Sequence, residues 1–192
     1  MKFIDKHNIE INRELSELDN FTIGFVRILE KYTNYVLVSG YVSILLGRSR
    51  ASEDVDIIIP KISFSTFKSF YQNLIDSGFI CLNVEDEKSV YSYLKNETAV
   101  RFAKKGKVIP NIEFKWVKNK FEDIALSDAI TVKLIKGNLK ISPLELQIAF
   151  KQEVLKSPKD LEDARHLEKV AESYLDNKLI NKYRELLREF YK

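Results

Sequence analysis

The chain has 192 residues, 45% hydrophobic and 31% charged, and its 31 Lys and Arg against 28 Asp and Glu leave a net charge of +3. That length allows one domain or a compact pair with a sizeable core, and so small a charge excess does not by itself argue for a nucleic-acid partner. A single cysteine excludes an internal disulfide, and two distant histidines without cysteine company exclude an ordinary zinc site. Cys81, set among Phe79, Ile80 and Leu82, reads as a buried thiol in a reducing compartment. No apolar run approaches the length of a membrane span, and the first residues, MKFIDKHNIEINREL, alternate charge and apolar groups instead of forming a signal h-region. The expectation is a cytoplasmic protein with no membrane partner.

In chain order, Ile11, Leu15, Leu18, Phe21, Ile23, Phe25, Ile28 and Leu29 suggest one or two N-terminal helices. Tyr35 to Val38 reads as a short buried strand, Tyr41 to Leu46 as a helix stopped by Gly47, and Asp56 to Ile59 as a strand ended by Pro60. Helical spacing returns from Phe64 to Ile75. Strands are then expected at Phe79 to Val84, Ser89 to Leu94, Thr98 to Ala103 and Val108 to Val117. From about residue 121 the pattern is helical, with two similar starts at Ser142-Pro143-Leu144-Glu145 and Ser157-Pro158-Lys159-Asp160. Each offers a Ser cap, Pro at the first helical position and an acid at the third. A last amphipathic helix carries Leu179, Ile180, Tyr183, Leu186, Leu187 and Phe190. The fold class expected is α+β: a mixed sheet flanked by helices in residues 1–120, with a C-terminal helical region over residues 121–192 packed on it.

The stretch VSGYVSILLGRSRASEDVDIII, residues 38–59, carries the chemistry. Side chains alternate along a strand, so Asp54 and Asp56 face the same way, roughly 6 to 7 Å apart. Two carboxylates that close repel, and a hard cation such as Mg²⁺ would relieve them. A lone pair of this kind is more often a solvated strand end, here paired with Arg48 or Arg50. Two features raise the odds of function. Ser39-Gly40 lies between strand and helix, where a small residue lets backbone approach a phosphate. Glu113 stands in Asn111-Ile112-Glu113-Phe114, turned away from its apolar neighbours. A turn, an acid pair and a third acid on another strand suit phosphoryl transfer.

SGYVSILLGRSRASEDVDI resembles the signature of the polymerase-β-like nucleotidyltransferase superfamily, in particular the branch of AbiEii-type toxins and related small prokaryotic nucleotidyltransferases. Those read G-G-x-A and then R-x-T-x-D-h-D. The later ISPLELQIAFKQEVLKSPKDLEDARHL is similar to that branch's helical region. The resemblance spans about residues 35–168. It departs from the pattern in Ser39 for the first glycine, in Val42 for a small residue, and in Glu113 for the usual Asp.

The resemblance implies a metal-dependent transfer of a nucleoside monophosphate from an NTP to a hydroxyl. Asp54, Asp56 and Glu113 would be the catalytic acids and ligands of Mg²⁺ or Mn²⁺. Ser39, Gly40, Arg50, Ser52, Lys151 and Asp163 would bind the nucleotide. An RNA acceptor and an antitoxin protein are the partners it suggests. Plainer roles stand beside these: Asp160 as a helix cap, Asp163 in a salt bridge to Lys159 or Arg165, Lys151 as a cation at a helix end, and Trp116 as strand packing. The basic run Arg101, Lys104, Lys105, Lys107, Lys115, Lys118 and Lys120 would suit a nucleic-acid backbone or a solvated hairpin alike. The rival readings are a catalytically silent binding module of the same fold and, third, a metal-dependent phosphohydrolase, disfavoured because no histidine lies near the acids.

Overall fold

The run Asp54–Ile59 forms an interior strand, β4, and everything that defines the site is arranged around it. The computed structural model describes residues 1–192. Before β4 come β1 (Lys2–Asp5), β2 (Asn8–Glu10), α1 (Glu17–Leu29), β3 (Val36–Val38) and α2 (Gly40–Leu45). After it come α3 (Phe64–Asp76), β5 (Phe79–Cys81), α4 (Glu87–Lys95), β6 (Val100–Lys104), β7 (Asn111–Trp116) and α5 (Lys120–Ser127). A hairpin of β8 (Ile130–Leu134) and β9 (Gly137–Ile141) leads into α6 (Leu144–Phe150), a π-helical turn (Lys151–Leu155), α7 (Pro158–Val170) and α8 (Asn177–Phe190).

The strands make one nine-stranded mixed sheet in the order β1-β2-β8-β9-β3-β4-β7-β6-β5. β4 runs antiparallel to β3 and parallel to β7. Its alternation separates two cores. Val55, Ile57 and Ile59 face the larger one, where Phe25 of α1 and Phe70 of α3 meet Phe102 and Phe114 of the sheet. Ile58 faces the smaller one with Val36, Val38, Phe121, Leu146 and Leu187, under α5, α6 and α8. Each such buried apolar side chain contributes about 1.5–3 kcal/mol, so β4 is held from both faces and the acids at its start are set on a rigid support. The expected α+β class, with a mixed sheet, flanking helices and C-terminal helices, is the observed one.

Four local expectations differ. Residues 1–10 form a hairpin whose Ile9 is buried, so the N-terminal helix is single and begins at Glu17, after a capping box of Ser16 with Asp19. Ser89 to Leu94 is helix α4, not a strand: Asp86 caps it by accepting from the backbone N–H groups of Lys88 and Ser89, and Val90 and Leu94 share its buried face. The helical reading from residue 121 passes over β8 and β9. Ile130, Val132 and Leu134 alternate inward there, opposite Leu139 and Ile141. Ser142 is not a helix cap but is buried, and α6 starts after Pro143 without a side-chain cap. The second start forms as expected, with the Ser157 hydroxyl accepting from the Asp160 N–H and Pro158 in the first turn.

Candidate active site

Parallel pairing of β4 with β7 sets Asp54 beside Asn111 and Asp56 beside Glu113. Because the pleat period is two on both strands, the three acids stand on one face of the sheet. β3 pairs with β4 so that Val38 lies opposite Asp56, and the chain leaves β3 directly into Ser39-Gly40. The register thus places the turn and the backbones of the three acids on neighbouring strands.

Asp56 is the electrostatic centre of this group. Burial pushes its carboxyl up to about 6, and the charges of Glu113 and Asp54 add to that, while Lys115 and the Ser39 side chain pull it back. The other two acids are engaged by protein donors. Asn111 Nδ2 donates to Asp54 Oδ1 at 2.7 Å, and Arg101, paired opposite Glu113 in the β6–β7 register, donates to Glu113 Oε2 at 2.9 Å. Lys115 lies 3.7 Å from Glu122 at the start of α5.

Three carboxylates on one face supply the hard oxygen donors that Mg²⁺ or Mn²⁺ prefers, and the strain of ionising Asp56 next to Glu113 is of the kind a divalent cation relieves. The donor set fits such an ion in chemistry. The side chains do not converge on a common point, and no group of three His, Cys, Asp or Glu in the chain is set to hold an ion. The bonds from Asn111 and Arg101 account for where Asp54 and Glu113 point.

The turn is tight. Ser39 has φ +64 and ψ −138, a conformation that favours glycine, and its N–H donates to Gln147 Oε1 of α6 at 3.2 Å. A Cβ on Gly40 would come within 2.5 Å of the Arg50 guanidinium, so glycine at 40 is what lets that guanidinium lie on the turn. Beside the turn, a cavity of about 190 Å³ runs from Ser39, Asp56 and Lys115 to apolar walls of Phe121, Leu146 and Phe150.

The remaining expected nucleotide ligands form a second group. Arg50 Nη1 donates to Asp163 at 3.0 Å. Lys151, with no exposed surface, reaches Asp163 at 2.8 Å and Asp160 at 3.3 Å. Arg48 binds Asp163, Glu162 and the Lys159 carbonyl. Ser52 donates to the carbonyl of Asp54 at 3.0 Å, fixing the entry to β4. Three cations here face three carboxylates. Asp160 serves both as Lys151's partner and in the cap with Ser157, and Trp116 packs edge-on against Tyr91. Sequence reasoning missed Gln147, Asn111 and Arg101, because each acts through a contact across strands or elements that has no fixed spacing in the chain.

No protein-family model matches the sequence, and no curated protein matches it. Solved structures do match in fold. An antigenic nucleotidyltransferase-like protein from Paracoccidioides brasiliensis superposes with TM-score 0.52 at 14% identity, covering 92% of this chain and 90% of its own. The antibiotic-resistance factor ANT(2'')-Ia does so with TM-score 0.52 at 14% identity, covering 90% and 91%. JHP933 from Helicobacter pylori has TM-score 0.51 at 20% identity, covering 90% of this chain and 75% of its own. The fold is nucleotidyltransferase-like. At these identities the likeness establishes the architecture alone. No helix in the chain is long and apolar enough to cross a membrane.

Proposed function

We propose that the chain is a metal-dependent nucleotidyltransferase that moves a nucleoside monophosphate from an NTP to a hydroxyl acceptor, releasing pyrophosphate. The observation that carries this reading is the β4–β7 register, which sets Asp56 against Glu113 and next to the Ser39-Gly40 turn. Asp54 and Asp56, with Glu113, would hold Mg²⁺ or Mn²⁺, and the bound ion supplies charge neutralisation for the triphosphate. Glu113 would orient the acceptor hydroxyl and take its proton as the oxygen attacks the α-phosphorus and the bond to the pyrophosphate oxygen breaks. Ser39 and Gly40 would lie against the phosphates. Arg50 would stiffen the turn from outside, and Lys151 and Asp163 would act by holding Arg50. Ser52 would fix the strand on which the acids stand.

The finer assignment is to an AbiEii-like, cytoplasmic toxin with an RNA acceptor and an antitoxin partner, and ATP among its substrates. It rests on the motif resemblance and on the basic residues from Arg101 to Lys120. A second reading, a silent binding module of this fold, is favoured by one observation: Asp54 and Glu113 are already engaged by Asn111 and Arg101. Incubation with Mg²⁺, each labelled NTP and total RNA separates the two. The enzyme reading expects label on a macromolecule, and Glu113→Gln should cut that transfer by about 10²-fold or more while leaving the thermal midpoint and NTP binding nearly unchanged. Absence of transfer with every NTP and acceptor would leave the binding module standing. An unimpaired Glu113→Gln would remove Glu113 from the chemistry.

A further inference from the structure

Arg101 is the one cation bonded to a member of the acid group. It lies opposite Glu113 in the antiparallel β6–β7 register, its Nη2 is 2.9 Å from Glu113 Oε2, and its side chain is half exposed. Glu113 is itself opposite Asp56 on the other side of β7. Across three neighbouring strands the order of charge is therefore Arg101, Glu113, Asp56. A carboxylate oxygen that accepts from a guanidinium is not free to bind an ion at the same lone pair, and a guanidinium so close to the acids repels a divalent cation.

We infer that Arg101 is a positioning residue that competes with the divalent cation for Glu113, holding that carboxylate toward β6 until the ion draws it toward Asp56. The exchange is inexpensive by design. An exposed ion pair of this kind is weak, so Glu113 would leave Arg101 at small cost for a divalent cation that it would hold with Asp54 and Asp56. Arg101 then stays within reach of the acids without neutralising them, which lowers the affinity for the ion and keeps the site from trapping it. The inference rests on the proposed metal-dependent reading and adds to it a residue that the motif does not contain.

The test is Mn²⁺ binding to the full chain, followed by electron paramagnetic resonance of the free ion and needing no substrate or turnover. Arg101→Ala should tighten Mn²⁺ binding by about two- to five-fold, the scale of losing one exposed ion pair, with the thermal midpoint of the free protein nearly unchanged. Arg101→Lys should restore most of the wild-type affinity. Lys105→Ala removes the same charge from an exposed position away from the acids and should leave the affinity as it is. Equal or weaker binding in Arg101→Ala, or the same tightening in Lys105→Ala, overturns the competition while leaving the metal site in place. No saturable Mn²⁺ binding in wild type or variant overturns both the competition and the metal-dependent reading beneath it.

Discussion

The charged groups around Ser39-Gly40 fall into two regions that both lie at positions of the motif and differ in physics. On the β4–β7 face, Asp54, Asp56 and Glu113 outnumber the cations directly among them, and the carboxyl of Asp56 is pushed up to about 6. On the α7 side, Lys151, Arg48 and Arg50 are matched by Asp160, Asp163 and Glu162, and Lys151 and Asp163 have no exposed surface. A group with unbalanced charge and an open side retains a demand for an ion or a substrate. A group with balanced charge and a buried centre, here Lys151 with Asp163, has its charge committed to holding the chain together. Both sets stand at motif positions, the acids as expected catalytic and metal-binding residues and Arg50, Lys151 and Asp163 as expected nucleotide-binding residues, and only the first carries an excess of negative charge. The second joins α7 to the turn at Gly40 through Arg50, which makes it the frame of the first.

That contrast is most exposed to a change at Asp163, the acid that binds all three cations. Asp163→Asn leaves Lys151, Arg48 and Arg50 facing one another with two of their three compensating charges, Asp160 and Glu162. Unfolding free energy by urea titration should fall by about 3–5 kcal/mol, the cost of breaking a buried ion pair. Stability within about 0.5 kcal/mol of wild type, together with lost NTP binding, would move Asp163 from the frame into the nucleotide site.

The next change tests the open region. The Asp56 carboxyl has a folded value of about 6 against an ordinary 3.8. Because the folded value is raised, the folded state takes up the proton more readily than the unfolded chain. Stability is therefore highest at acid pH with respect to this group, falls as pH rises from about 4 through 6, and stays reduced above. The ionised form costs up to about 3 kcal/mol. Asp56→Asn should stabilise the protein at pH 7.5 and change little at pH 4.5. Added Mg²⁺ or Mn²⁺ should raise the thermal midpoint of wild type at pH 7.5 and do so less in the mutant. A mutant with the same cation response would place the ion elsewhere.

How much of this was legible in the sequence follows from the range of the interactions. Asp54 and Asp56 share a face because of a period that any strand has, and the Ser39-Gly40 turn is marked by its own small residues. These local features were readable, as was Glu113, whose neighbours Ile112 and Phe114 point the other way. The partners were not. Arg101 and Asn111 touch the acids only because β6 pairs with β7 in one register, and Gln147 reaches Ser39 across 108 positions of chain. A short aromatic run such as Val90 to Leu94 satisfies both strand and helix periods, and the Asp86 cap decides it. The β8–β9 alternation was present in the residues, but two strong helix starts nearby outweighed it.

The smallest expected effect joins the two halves of the contrast at Ser39. Its backbone, at φ +64, is in a region where a side chain costs of order 1–3 kcal/mol and glycine costs little. The motif's usual glycine has a physical reason here: the turn needs that conformation. Serine adds a hydroxyl close to Asp56 that favours its ionised form. Ser39→Gly removes both the strain and that support, and the unfolded chain gains entropy, offsetting about 0.5–1 kcal/mol. At pH 4.5, with Asp56 protonated, relief of strain should prevail and stability should rise by about 1 kcal/mol. At pH 7.5 the ionised Asp56 loses its hydroxyl partner, so the gain should shrink toward zero. Urea titrations at both pH values measure the difference. Equal destabilisation at both would show that the turn is not strained, and equal stabilisation at both would show that the hydroxyl does nothing for Asp56.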